Sequence, residues 1–364
     1  MARILTVGNP RQQRIDPART AAAARAQKSR NHERGIVAKP EKPQKSKPTQ
    51  QRQASKRKGG RPGGPAVPPS AKVRKATFGD WVGGARIRTL PLSVTPVVLG
   101  VATAYMVQPQ WQWLLSALCL AVAVLLQIAV NYANDYSDGV RGTDRYRVGP
   151  SRLTGSGTAK PRTVLTVALV FFGLAALAGL AVVVISGHWW LLAVGAAAIV
   201  AAWFYTGGKR PYGYRALGEV MVFIFFGLVA TAGTMYVHVG AVSLEGWLAS
   251  ICAGLFACAV LMVNNIRDLE QDAAAGKRTL AVLIGSLAAR ISFTVLLLAP
   301  FVVLAYFLLL FDNALYVYFA LLAALPAALI TLTGKTPPEF VLALKLSSLT
   351  SLLFGLGLAA AIVF

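Results

Sequence analysis

From Thr77 onward the chain alternates long apolar runs with short polar connections, the runs falling at approximately 89–107, 112–133, 163–186, 189–206, 217–237, 246–266, 288–311, 314–333 and 341–364. A helix of about 20 residues covers the roughly 30 Å hydrocarbon core of a bilayer. The pattern therefore predicts an all-α polytopic membrane protein of nine transmembrane helices. Lys345 sits in the first turn of the ninth run, where its aliphatic stem can carry the ammonium to the interface. Residues 1–75 read differently: they are rich in Pro, Gln, Ser, Gly, Lys and Arg and poor in large apolar side chains. Such a segment cannot bury enough apolar surface to fold, so it is expected to be a disordered polybasic tail ahead of a membrane domain at 76–364.

Charge sharpens this division. The 364 residues are 55% hydrophobic yet carry a formal charge of +23. The tail holds 20 of the 37 Lys and Arg residues and only Asp16, Glu33 and Glu41 as acids, which gives it +17 and leaves +6 for the rest. Within the membrane domain, Arg141, Arg145, Arg147, Arg152, Lys160, Arg162, Lys209, Arg210, Arg215, Arg267, Lys277, Arg278 and Lys335 all follow even-numbered runs. The connections after runs one, three, five and seven contain no Lys or Arg. Positive residues accumulate on the cytoplasmic side, so the pattern predicts a multi-pass protein of a bacterial plasma membrane with its N-terminus in the cytoplasm.

Two acid clusters interrupt this apolar background: Asn131-Tyr-Ala-Asn134-Asp135-Tyr-Ser-Asp138 and Asn264-Asn265-Ile-Arg-Asp268-Leu-Glu-Gln-Asp272. Carboxylates beside lipid are costly and mark binding or transfer sites. On a helix, Asn131, Asp135 and Asp138 share one face, as do Asn264, Asp268 and Asp272. Helix capping accounts for one acid per site, not for two facing pairs. Hard oxygen ligands in this number suit Mg²⁺, which completes its coordination with water and substrate phosphate. Asp135, Asp138, Asp268 and Asp272 are the predicted metal ligands, with Asn131, Asn134 and Asn264 beside them.

Basic residues crowd the same mouth. For any single Arg the topology bias is sufficient explanation, which covers Arg141, Arg152, Lys160, Lys277 and Arg278. Lys209 carries a stronger expectation, because Tyr205 stands four residues before it and would share its helical face. A lysine there could hold a terminal phosphate. The loop 139–157 is long and glycine-rich, as expected of a backbone that closes over a ligand. Its order of Asn, paired Asp, Gly, basic residue and Thr is echoed weakly after the sixth run, which implies a parallel duplication.

Cys119, Cys252 and Cys258 lie inside apolar runs without metal-ligand spacing, and no His falls in the cytoplasmic connections. Nucleophilic Ser-His-Asp and His-based proton-transfer mechanisms on that side are therefore not expected. No signal peptide is legible, since the first residues lack an apolar stretch. The tail has no aromatic side chain to stack on a base, so anionic lipid rather than nucleic acid is its expected partner. An ion-coupled transporter is the rival class, but transporter sites lie near the midplane, often between inverted repeats. These acids stand at the membrane edge.

The acid motifs, together with Tyr205-Thr-Gly-Gly-Lys209 between them, resemble the signature of the UbiA superfamily of intramembrane aromatic prenyltransferases. Gly84-Ala-Arg86-Ile-Arg88-Thr-Leu-Pro91, Arg147-Val-Gly-Pro150 and Arg152-Leu-Thr-Gly-Ser-Gly157 are most similar to the branch that prenylates 1,4-dihydroxy-2-naphthoate in menaquinone synthesis. The resemblance covers about 78–364. Many relatives carry a further Asp where this chain has Gly142, with Asp144 two residues on as a substitute. Relatives acting on 4-hydroxybenzoate often have Arg directly after the first motif, where this chain has Gly139 and Arg141.

The resemblance implies a UbiA-type bundle with its active site at the cytoplasmic mouth. A polyprenyl diphosphate would be held through Mg²⁺ between the Asp motifs, with Lys209 stabilising the departing pyrophosphate. The naphthoate ring would take the prenyl chain and lose its carboxyl as CO₂. Asn131, Asn134, Tyr205, Arg141, Arg152, Lys160 and Asn264 are the implied substrate contacts. Prenylation of hydroxybenzoate or homogentisate is the alternative within the same class.

Overall fold

The computed structural model describes residues 74–144 and 152–364. The tail up to residue 73, Arg145, Arg147 and the Arg147-Val-Gly-Pro150 stretch lie outside the described residues. Among the described residues the regular elements are helices, with one isolated β-bridge between Arg215 and Arg278. The chain comprises α1 (Phe78–Gly84), α2 (Pro91–Val107), α3 (Trp113–Arg141), α4 (Pro161–Ser186), α5 (Leu191–Phe204), α6 (Gly218–Val239), α7 (Leu244–Arg267), α8 (Leu269–Ala274), α9 (Leu280–Ile284), α10 (Ser286–Phe307), α11 (Asp312–Thr333) and α12 (Pro337–Val363).

Each of the nine apolar runs contains a helix, and local sequence sets the ends. Pro161 and Pro337 open α4 and α12 at the first-turn position, where the missing N–H costs nothing. Ser243 caps α7 by accepting from Gly246 N–H at 3.2 Å. Gly142, Gly187 and Gly240 close α3, α4 and α6 with φ of 74°, 73° and 73°, a left-handed turn that suits glycine. In α1, Thr77 and Asp80 form a reciprocal capping box, and Arg74 pairs with the same Asp80 carboxylate at 2.6 Å.

Seven helices, α3, α4, α6, α7, α10, α11 and α12, are long and apolar enough to cross a bilayer. An eighth candidate is α2 joined to the segment Phe78–Thr89 across a 46° bend. The fourth run yields only the 14 residues of α5, about 21 Å at 1.5 Å per residue, because its chain turns away at Phe204. The protein is therefore a multi-pass helical membrane bundle with seven or eight candidate spans among the described residues.

α7 is the axis of the bundle. Of its apolar window 72% is buried, against 17% for α3, whose outward side chains face the lipid position. Phe256 of α7, Phe301 of α10 and Phe354 of α12 pack edge to face, with centroids 5.1–6.2 Å apart. Thr95 of α2 donates to Ser351 O at 3.0 Å, the small-polar contact by which membrane helices hold one another. α6 is wound as a π-helix from Phe223 to Ala232, a form concentrated at functional sites.

α6 and α7 approach closely at paired glycines: a Cβ added at Gly227 would stand 2.6 Å from Gly254 Cα and 2.8 Å from Ser250 O. Backbone cannot yield as a side-chain tip can. Gly227→Ala should therefore cost about 1–3 kcal/mol of stability, read as a lowered melting temperature in detergent. Gly173→Ala in α4, with nothing within 4 Å of the added carbon, should leave melting unchanged or raised.

Candidate active site

A cavity of about 860 Å³ opens among α2, α3, α6 and α7. Its charged head is lined by Asp135, Asp138, Arg152, Asp268, Asp272 and Lys277, and its shaft runs to Cys119, Trp190 and Trp247. From Asp138 down to Cys119 the wall follows twenty residues of α3, nineteen rises of 1.5 Å or about 28 Å. The π-helical stretch of α6 contributes Phe225, Phe226 and Val229 to the apolar wall.

The first motif occupies the last turns of α3, and all four of its polar groups are buried. Asn131 donates to Ala85 O at 2.9 Å, and Asn134 accepts from the Thr206 hydroxyl at 2.6 Å. Asp135 accepts from the backbone N–H groups of Leu153 and Thr154 at 2.9 and 2.8 Å. It thus folds the second half of the glycine-rich loop over the helix end. Asp138 accepts from the Tyr214 hydroxyl and pairs with Arg152 at 2.5 Å. Gly139 is required here, since an added Cβ would lie 2.5 Å from Thr154 Cβ. This packing also explains why no Arg directly follows the motif.

The second motif departs from the expected single helix. α7 stops at Arg267, Asp268 adopts φ −96°, ψ 9°, and α8 starts at Leu269. Asn264, Asp268 and Asp272 still line the same cavity, because the Asp272 N–H bonds back to Asp268 O at 2.8 Å. Arg267 holds Asp268 with two bonds, Nε to Oδ1 at 2.8 Å and an η-nitrogen to Oδ2 at 2.6 Å. Behind them, Asn265 donates to Glu219 of α6 at 3.0 Å, pairing an acid that would otherwise be stranded in an apolar helix.

Lys277 joins the two motifs. Its Nζ lies 3.6 Å from Asp138 and 3.4 Å from Asp272, and 4.7 Å from the centre of the Tyr214 ring. Burial raises the Asp272 carboxyl above the ordinary carboxylate range, against the lowering pull of Lys277. Burial also opposes the charge on Arg152, but the carboxylates of Asp138 and Asp144 prevail and hold the guanidinium above its usual value. Asp144 lies 3.2 Å from Arg152, so it pairs with the same guanidinium as Asp138.

The other predicted residues divide. Tyr205 lines the cavity and meets Tyr212 edge to face at 5.5 Å. Lys209 does not share a helical face with it. α5 ends at Phe204, Gly208 turns the chain at φ 71°, and Lys209 is exposed outside the cavity lining. Arg141 is exposed and donates to the carbonyls of Thr206 and Gly208, fastening the turn beside the head. Lys160 is exposed at the start of α4, also outside the lining. Tyr214 and the bridging position of Lys277 escaped the sequence reading. The one available signal was the repeated pattern Asp-x-x-x-Gly-Lys-Arg-Thr after the second motif.

Among the described residues no three Asp, Glu, His or Cys side chains stand together as a ready cation cage. The donors nevertheless fit Mg²⁺, which uses one or two carboxylates and fills its remaining positions with water and phosphate. Asp138 and Asp272, drawn from distant segments, already reach one shared cation, the Lys277 ammonium.

The fold is a multi-pass helical bundle that encloses a cavity with a charged head and an apolar shaft. The profile of the UbiA prenyltransferase family matches residues 93–339, and the chain belongs to that family. It is 44% identical over 289 residues to a 1,4-dihydroxy-2-naphthoate octaprenyltransferase of Mycobacterium tuberculosis, covering 79% of this chain and 98% of that one. A protein of the same description from Escherichia coli is 35% identical, covering 76% and 94%. Among solved structures, a UbiA homologue from Aeropyrum pernix superposes with a TM-score of 0.57 at 16% identity, covering 73% of this chain and 96% of that one. A homologue from Archaeoglobus fulgidus bound to GPP and Mg²⁺ gives 0.50 at 18% identity, covering 77% and 99%. These two likenesses establish the fold.

Since the Asp272 carboxyl titrates above the ordinary range and Lys277 pulls it down, the ionised pair is lost as pH falls through that raised value. Without Mg²⁺ the Asp272 carboxyl should therefore protonate above the usual carboxylate pKa of about 4, read from its carbon-13 chemical shift. In metal-free Lys277→Met this protonation should move to still higher pH; an unchanged midpoint would detach Asp272 from Lys277.

Proposed function

We propose that this chain transfers a polyprenyl group from an allylic polyprenyl diphosphate to 1,4-dihydroxy-2-naphthoate, releasing diphosphate and CO₂ and giving demethylmenaquinol. The observation that carries this reading is the meeting of both acid motifs with Lys277 and Arg152 at the top of one long apolar shaft. The relatives' descriptions supply the acceptor.

The chain's groups divide the work by chemistry. The shaft takes the isoprenoid tail and places the diphosphate in the head. Lys277 and Arg152 offer donors to phosphate oxygens, and their charges oppose the negative charge that grows as the allylic C–O bond breaks. Asp138 and Asp272, with Asp135 and Asp268 beside them, would hold Mg²⁺ against the diphosphate; the ion supplies further positive charge to the leaving group. The bonding pair departs with pyrophosphate. The ring carbon bearing the carboxylate forms the new C–C bond, and the C–CO₂ bond then breaks with its electrons returning to the ring. Tyr205 and Tyr214 present aromatic faces near the head, suited to a transient carbocation. Asn131, Asn134 and Asn264 place the acid-bearing helix ends, and Arg141 secures the turn that carries Lys209. Lys209 and Lys160 stand at the rim, where they would attract the anionic donor.

The positive-inside pattern supports a cytoplasmic N-terminus and a cytoplasmic head. Counting α2 and the short α5 as spans supports nine crossings, consistent with that orientation. The domain occupies 76–364, and the tail of residues 1–75 rests on anionic lipid of a bacterial plasma membrane.

Mass spectrometry of the product formed from dihydroxynaphthoate, a polyprenyl diphosphate and Mg²⁺ tests acceptor, donor and loss of carboxyl together. Retention of the carboxyl, or turnover of hydroxybenzoate or homogentisate instead, would overturn the assignment. Asp135→Ala, Asp138→Ala, Asp268→Ala and Asp272→Ala should each lower kcat/KM by at least about 100-fold, the scale of one lost transition-state contact, while the protein still inserts. Deleting residues 1–75 should leave kcat in detergent within about twofold and weaken only association with anionic vesicles.

A further inference from the structure

Three cations of the head meet carboxylates. Arg152 is paired with Asp138 and Asp144, Lys277 with Asp138 and Asp272, and Arg267 with Asp268. Arg88, in the turn Ile87–Thr89 that leads into α2, is half-buried and lines the same cavity. Among the described residues no carboxylate pairs with it. A half-buried guanidinium without a carboxylate partner bears a desolvation cost, and an anion placed against it relieves that cost.

The same wall holds further unused hydrogen-bonding capacity. Ser93, in the first turn of α2, is 1% exposed, lines the cavity, and its hydroxyl has no hydrogen-bond partner. A buried hydroxyl left unpaired is unfavourable unless a ligand completes it. Gln127 of α3, also in the lining, donates to the Thr89 hydroxyl at 3.3 Å, which fixes the turn carrying Arg88 against α3. A guanidinium and an unpaired hydroxyl lining one cavity suit a planar carboxylate, which accepts two parallel N–H bonds from Arg.

We propose that Arg88, with the Ser93 hydroxyl, forms the subsite that receives the carboxylate of the aromatic acceptor and so selects for aromatic acids. This rests on the prenyl-transfer reading above and adds to it the residues that choose the acceptor. The donor has its own cations in Lys277 and Arg152, on the α3 and α8 side of the head. Because the carboxylate leaves as neutral CO₂, its bond to Arg88 is made in the bound ground state and given up along the reaction. Arg88 therefore governs acceptor KM rather than kcat.

The test compares dihydroxynaphthoate with 1,4-dihydroxynaphthalene, which lacks the carboxyl, in wild type, Arg88→Gln, Arg88→Lys and Ser93→Ala. Removing the carboxyl from the acceptor should raise KM about 10- to 100-fold in wild type, the scale of a charge-assisted contact, and by less than about threefold in Arg88→Gln. Arg88→Gln should raise the KM for dihydroxynaphthoate by the same factor and leave donor KM unchanged. Arg88→Lys should recover part of the loss, and Ser93→Ala should give a smaller rise in the same parameter. Full discrimination in a folded Arg88→Gln, judged by an unchanged melting temperature, would overturn the subsite, as would an effect confined to donor KM. Failure of the wild type to prenylate dihydroxynaphthoate would instead overturn the broader functional reading, so the two failures are distinct.

Discussion

The structure depends on the pairing of buried charges at one end of the bundle. Asp138 accepts from Tyr214 and faces both Arg152 and Lys277, while Lys277 also faces Asp272. Segments more than a hundred residues apart are drawn to one point by this network. Each of these groups alone would be costly so near the hydrocarbon core. Together they satisfy one another and hold positive and negative groups ready for a polyanionic ligand.

The helices serve that head. α7 supplies a buried axis, and the glycine contact between α6 and α7 lets both pass close beside the cavity. The π-helical winding of α6 puts large apolar side chains on the cavity wall. The charged head and the apolar shaft thus come from the same helices: their ends carry the polar groups and their middles carry the lining. An amphiphile with a diphosphate at one end and an isoprenoid at the other matches this division.

Much of the site was legible before folding. Asn131, Asn134, Asp135 and Asp138 keep the face that helical spacing gave them, because α3 continues unbroken to Arg141. The second motif kept its destination but not its form, since the break at Asp268 carries no Gly or Pro to announce it. Lys209 was misplaced for a related reason. Its spacing from Tyr205 presumes a helix, and two glycines in between end that helix at Phe204. Lys277 and Tyr214 were hidden because their importance is a matter of contact: Lys277 N bonds Asp272 O at 2.8 Å and Arg278 N bonds Tyr214 O at 2.9 Å, which locks two loops together beneath the head.

Hydrophobic run length and charge alternation determined the membrane class, and the periodicity of the acids determined which groups share a helix end. Both are one-dimensional signals, read along a single strand of chain at fixed helical rise. Which cation meets which carboxylate was decided only in three dimensions, by how far α5 and α7 run before they break and how the loops return across the bundle. Arg88, Arg152 and Lys277 are equally basic in the sequence; the surrounding charges left one unmatched and made the other two partners of the acids, because Coulomb energies depend on distance in space and not along the chain.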